Sequence, residues 1–176
     1  MGTITTYTGH QFNPIDPEME TLDVRDIAHA LSLTCRGNGH VKQFYSVGQH
    51  CIMCAKEAVA RGYSKRVVLG CLLHDASEAY MSDVPRPFKE MLPEYVKLEE
   101  KLIDIVYTRF LGSPLSEEEK KQVSRVDDDV LYYDMRELFG VVRNEDAPKL
   151  EIEPVYEVIP FETVEKMYLE LFKTMC

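Results

Sequence analysis

The residues of this 176-residue chain best suited to chemistry gather around one adjacent pair, His74-Asp75. The pair follows directly on the most apolar stretch of the chain, residues 67–73, VVLGCLL. A carboxylate is almost never buried without a partner, because desolvating it costs several kcal/mol. Two ligand-type side chains at the end of a buried helix call for a compensating charge, and a divalent ion supplies one. Adjacent helical residues point about 100° apart, so the pair shares one ion only at the edge of a cavity.

The remaining ligands must arrive from other helices. His50 lies three residues after Val47 and four before Cys54, within an apolar stripe. Asp127 lies four residues after Val123, three before Val130 and four before Leu131, so its stripe also carries it inward. Two His and two Asp make a mixed N/O site suited to Mn, Fe, Co, Zn or Mg. Each residue alone has a plainer reading: a core histidine with a satisfied ring, or one carboxylate of the acidic run Asp127-Asp128-Asp129. The order His, His-Asp, Asp in apolar surroundings favours the ligand reading. Helical phase selects Asp127, with Asp128 as the next choice.

Elements that place these residues follow from periodicity and caps. Residues 1–20 read as a short strand and a loop. Asp23 caps a helix to about Cys35, and the Gly-Asn-Gly of residues 37–39 turns the chain. A second helix runs from Ser46 to Arg61, with Gly62 as its stop. Ser64 caps a third, 65–79, whose centre is apolar all round and therefore buried. Residues 81–93 hold three prolines and read as a loop. A fourth helix spans 94–111. Ser116 opens a fifth, to about 139, through a capping box with Glu119. Residues 140–160 are mixed, with a short strand near 150–158 that could pair with the N-terminal one. A last amphipathic helix covers 161–175. The expected fold class is all-α: one compact helical bundle over residues 1–176.

The motif strings now add a resemblance. The order His50, His74-Asp75, Asp127, with spacings of 24 and 53 residues, resembles the HD-domain metal-dependent phosphohydrolases. FYSVGQH is similar to that family's S-V-x-x-H segment. HDASEAYMSDVPRPFK is similar to the H-D-A-S-E-x-x-x-x-D-x-P-x-P-x-K stretch of its 5′-deoxynucleotidase branch. The similarity covers about residues 36–134. It implies an HD-type bundle, a divalent metal (Mn, Co, Fe, Zn or Mg) on His50, His74, Asp75 and Asp127, and catalysis by Asp75 and Glu78. Glu78 matches the family's acid/base glutamate. Asp83 matches the carboxylate that contacts the sugar, and Arg36 a phosphate- or nucleotide-binding arginine, whose planar fork suits bidentate contact. His40 and Lys89 would line the substrate pocket.

Composition bounds the partners. A net charge of −10 argues against duplex nucleic acid, which needs clustered Lys and Arg. An anionic small molecule remains open where a metal and a few basic groups reverse the local field. The longest apolar run falls far short of the roughly 20 residues that span a bilayer, so no membrane is expected. The opening MGTITTYTGH lacks the basic and apolar regions of a signal peptide. Five cysteines, an odd number, fit a reduced cytoplasmic protein. Cys51-Ile52-Met53-Cys54 has redox or zinc spacing, but both thiols fall on a packed stripe and read as core filling. His10 and His29 read as structural or exposed.

The expected substrate is a nucleotide, most of all a deoxynucleoside 5′-monophosphate cleaved to nucleoside and phosphate. A deoxynucleoside triphosphate triphosphohydrolase is the alternative within the class, and a non-catalytic helical sensor of nucleotide or metal the alternative outside it. Exposed helical stripes leave room for a homo-oligomer.

Overall fold

Asp23, Ser46, Ser64 and Ser116 each accept a backbone N–H from the first turn of the helix that follows, as their sequence positions require. In the computed structural model, which describes residues 2–142 and 146–175, these caps open α1 (Val24–Leu33), α2 (Val47–Ala60), α3 (Lys65–Leu73) and α7 (Glu117–Glu137). Short α4 (Glu78–Met81) and α5 (Arg86–Lys89), long α6 (Pro93–Leu111) and terminal α8 (Phe161–Met175) complete the all-α architecture. Among the described residues no helix is long and apolar enough to cross a membrane.

Helix α3 is the hub. All its residues from Val67 to Leu73 are buried, and it packs against α2, α6, α7 and α8. Burying side chains such as Leu72 and Leu73 stabilises the fold by about 1.5–3 kcal/mol each. Gly70 is needed for the close approach of α7 and the loop before it, since a Cβ there would lie 3.0 Å from both Leu115 and Val123.

Three expectations are corrected. The helix expected over 65–79 ends at Leu73, and residues 74–77 form turns before α4. Side chains take the carbonyls that would have carried the helix on: Tyr107 Oη donates to Gly70 O at 3.5 Å, His74 Nδ1 to Cys71 O at 2.7 Å and Tyr168 Oη to Leu72 O at 2.6 Å. The chain tightens instead into i→i+3 bonds, Ala76 N to Leu73 O and Glu78 N to Asp75 O. Second, the proline-rich loop contains α5, because Pro85 is extended and Pro87 sits in the helix's first turn, where its missing N–H is harmless.

Third, the N-terminal strand β1 (Ile4–Thr5) pairs antiparallel with β2 (Gln11–Phe12), not with residues near 150–158. That later segment forms no strand pairing among the described residues. Side chains claim its backbone: Glu57 accepts the Glu151 and Ile152 N–H groups, Gln49 donates to Glu157 O and Gln43 to Tyr156 O. Residues 143–145 of the mixed stretch, like Met1 and Cys176, lie outside the described residues. The β1–β2 hairpin is fastened to α1 by Thr8, whose N–H and hydroxyl both donate to the buried Asp26 carboxylate, at 2.6 and 2.9 Å.

Candidate metal centre

Helices α2, α3 and α7 bring His50, His74 and Asp127 together. His50 Nε2 lies 2.9 Å from Asp127 Oδ1, and His74 Nε2 lies 3.5 Å from the same oxygen. The two imidazole rings stand 5.3 Å apart, centre to centre. Asp75 is beside them, its Oδ1 3.3 Å from His74 Nε2. Asp128 is exposed, and the helical phase that favours Asp127 agrees with its position.

Each ring has its far nitrogen fixed. His50 Nδ1 donates to Asp134 Oδ2 at 2.8 Å, and His74 Nδ1 donates to the Cys71 carbonyl at 2.7 Å. Such partners set ring orientation and leave Nε2 as the nitrogen available to a metal. His74 Nε2 is buried and has no hydrogen-bond partner among the described residues. A buried polar atom of this kind normally finds one. Carboxylate oxygens of Asp75 and Asp127, which a lone pair repels and a cation would hold, lie 3.3 and 3.5 Å from it.

The electrostatics agree. Burial and the Arg36 charge act to lower the His50 pKa, yet Cys54, Asp134 and the Asp127 hydrogen bond outweigh them and raise it well above the usual value. His74 behaves alike: burial lowers it, while Asp75, Cys51 and Asp127 drive it up. Burial would raise Asp127, but His74 and His50 hold its carboxyl well below the ordinary range. The cluster therefore demands positive charge, which bound protons or a divalent cation can provide. His50, Cys54, His74 and Asp127 offer ligand atoms within 4.8 Å of one another, as do Cys51, His74 and Asp75. The donor set fits a metal ion.

The expected substrate groups divide. Arg36 sits on the turn after α1, its guanidinium 3.5 Å from Asp75 Oδ2 and 3.2 Å from Asp134 Oδ2. Positive φ at Gly37 shapes this turn, and a Cβ there would run into the Phe139 ring. Glu78, at the start of α4, has a buried Oε2 without a hydrogen-bond partner among the described residues. Burial first, then the Asp75 and Asp83 carboxylates, push the Glu78 carboxyl up to about 9. Asp83 is thus close enough to Glu78 to be felt. His40 is exposed at the end of the Gly37 turn, and Lys89 is tied to Glu99 of α6 at 2.7 Å. A cavity of about 510 Å³ between α6 and α7 reaches the centre, with His74, Asp127, Tyr107 and Lys120 among its walls.

Two residues enter that the sequence reading passed over. Asp134 is fully buried and receives His50, Arg36 and the Tyr156 hydroxyl, the last at 3.0 Å. It stands seven residues after Asp127, two helical turns along the same face, and that spacing is a signal that could have found it. Cys54, read as core filling, has its Sγ 3.4 Å from His50 Nε2.

No family model matches the chain. It is 38% identical over 114 residues to the uncharacterized protein YfdR of Escherichia coli, a match covering 65% of this chain and 61% of that protein. It is 34% identical over 109 residues to an uncharacterized protein of Rhodobacter capsulatus, covering 58% and 55% respectively. The chain thus spans less than two thirds of the length of these curated relatives, and their names carry no activity.

Proposed function

We propose that the chain is a metal-dependent phosphohydrolase acting on a nucleotide phosphate ester, with a deoxynucleoside 5′-monophosphate as the favoured substrate. One observation carries the reading: a buried His74 Nε2 without a hydrogen-bond partner faces the Asp127 carboxylate shared with His50, next to a buried carboxyl, Glu78. His50, His74 and Asp127, with Asp75 adjacent, would hold the metal, which when bound lowers the pKa of a water and polarises a phosphoryl oxygen.

The chain's own groups supply the rest. Glu78 holds a proton at its carboxyl and can deliver it to the departing sugar oxygen. Arg36 offers guanidinium N–H groups to phosphate, with Asp75 and Asp134 fixing its orientation. Asp83 would accept a hydrogen bond from a sugar hydroxyl. Of the candidate cations, Arg36 is the one offered to phosphate, while Lys89 is paired with Glu99. That leaves little positive charge for a triphosphate and favours the smaller leaving group.

The test is a substrate panel with the chain loaded with Mn, Co, Zn or Mg. Deoxy- and ribonucleoside mono- and triphosphates are supplied, and phosphate is resolved from triphosphate. Phosphate release from deoxynucleoside monophosphates is expected, lost in His74→Ala and Asp75→Ala. Activity surviving both substitutions would reject the site. Metal binding without turnover on any substrate would turn the reading to a sensor.

A further inference from the structure

The C-x-x-C of α2 is the motif that the metal site as drawn so far leaves unused. Its second thiol belongs in the centre. Cys54 follows His50 by four residues, one helical turn, so both side chains leave the same face of α2. That i, i+4 spacing is the one with which a single helix clips a metal between two ligands. The Cys54 Sγ lies 3.4 Å from His50 Nε2, the ring nitrogen not used by Asp134. It groups with His50, His74 and Asp127 in one set of ligand atoms within 4.8 Å. A cysteine that only fills the core would face apolar neighbours.

We infer that Cys54 is a ligand of the proposed centre, completing a set with His50, His74 and Asp127 that selects zinc, cobalt or ferrous iron over magnesium and manganese. The inference rests on the metal-centre reading above. Two imidazoles and one thiolate beside the Asp127 carboxylate, with Asp75 adjacent, make a donor set of borderline-to-soft character, whereas magnesium and manganese prefer oxygen. On binding, the Cys54 S–H bond breaks, the sulfur keeps the electron pair as a thiolate, and the proton passes to solvent. Cys51 is the built-in control: its Sγ points to Asp75, 4.0 Å from Oδ2, and it falls in the other group, with His74 and Asp75.

The test is the absorption spectrum of the full chain, stripped with a chelator and reloaded with cobalt(II), together with competition between zinc and manganese. A thiolate-to-cobalt charge-transfer band is expected in the unsubstituted chain and in Cys51→Ser, and is absent in Cys54→Ser. Zinc affinity falls about tenfold or more in Cys54→Ser, a loss on the scale of removing even an outer partner of a metal. Manganese affinity changes much less. Cobalt bound by the unsubstituted chain without that band overturns the role of Cys54, needs no variant to fold, and leaves the metal centre standing. An unchanged zinc affinity in folded Cys54→Ser does the same. Failure of the unsubstituted chain to bind cobalt or zinc rejects both readings together.

Discussion

The Asp134 carboxylate stands 2.8 Å from Nδ1 of His50, deep in the bundle and two helical turns beyond Asp127 on α7. One helix thus addresses both nitrogens of the same imidazole. Asp127 meets Nε2, and Asp134 fixes which nitrogen carries the proton. The same Asp134 oxygen also accepts from Arg36, so one buried carboxylate orients both the His50 ring and the Arg36 guanidinium.

Replacing that carboxylate by an amide tests the coupling. Asp134→Asn keeps the shape and an acceptor for His50 Nδ1–H but removes the negative charge. Metal affinity is expected to fall about 10–100-fold, as for other partners that orient a ligating histidine. Arg36 loses one of its two ion pairs in the same step, keeping Asp75, so KM for the nucleotide should rise as well. Calorimetric metal titration of the variant, unchanged from the parent, would remove Asp134 from the centre.

Glu78 is predicted to matter for turnover and not for metal. Among the described residues its buried Oε2 has no hydrogen-bond partner, and Glu78 is absent from the grouped ligand atoms. Glu78→Gln keeps volume while removing the transferable proton. A loss of about 10²–10⁴ in kcat is expected, the usual weight of a general acid or base. Metal stoichiometry measured on the purified variant should match the parent.

How much of this was legible in the chain turns on whether a signal was local. His74 could be read from its place beside Asp75 directly after the apolar 67–73 stretch, and His50 and Asp127 from phase, because apolar neighbours three and four residues away reveal which face points inward. Asp134 carries the same signal, with Val130 four residues before it and Leu138 four after, but a lone Asp in a stripe reads as a break in it. Cys54 was ambiguous for another reason: the phase that buries a thiol in a core also aims it at a metal. The early end of α3 was beyond reach, since it depends on hydroxyls of Tyr107 and Tyr168 far along the chain. The strand expected near 150–158 failed likewise, because Glu57 and Gln49 of α2 claim the backbone groups a partner strand would use.

Glu57 is therefore predicted to be a major determinant of stability, although it is remote from the proposed chemistry. It is fully buried and accepts from Arg61 Nε at 2.7 Å and from the amides of Glu151 and Ile152. Glu57→Ala strands those two amides and weakens the hold on Arg61, which keeps Asp129 at 2.9 Å. A loss of about 2–4 kcal/mol is expected, somewhat below that for a buried ion pair broken completely. Urea unfolding measures it. Limited proteolysis should cut the variant first within residues 146–160, and Glu57→Gln should fall between variant and parent.

The acid limb of stability is predicted to carry the mark of Glu119. Its hydrogen bond with Arg66, then the backbone and side chain of Ser116, hold the folded carboxyl at about 2, against an ordinary 4.5. Arg66 also donates to the carbonyls of Leu111 and Pro114, so the pair closes the junction of α6 and α7. Because the folded pKa is the lower one, the unfolded chain binds more protons between these values. The contribution is complete above pH 4.5 and is lost as pH falls toward 2. Glu119→Gln should flatten the unfolding free energy across this window and leave its shape near neutrality alone. The ion pair is at the surface, so the difference between variant and parent should shrink in about 1 M salt, where the Debye length is about 3 Å. Chemical denaturation at a series of pH values reads it directly, and parallel acid limbs for variant and parent would show that the Arg66 contact does not hold the carboxylate in solution.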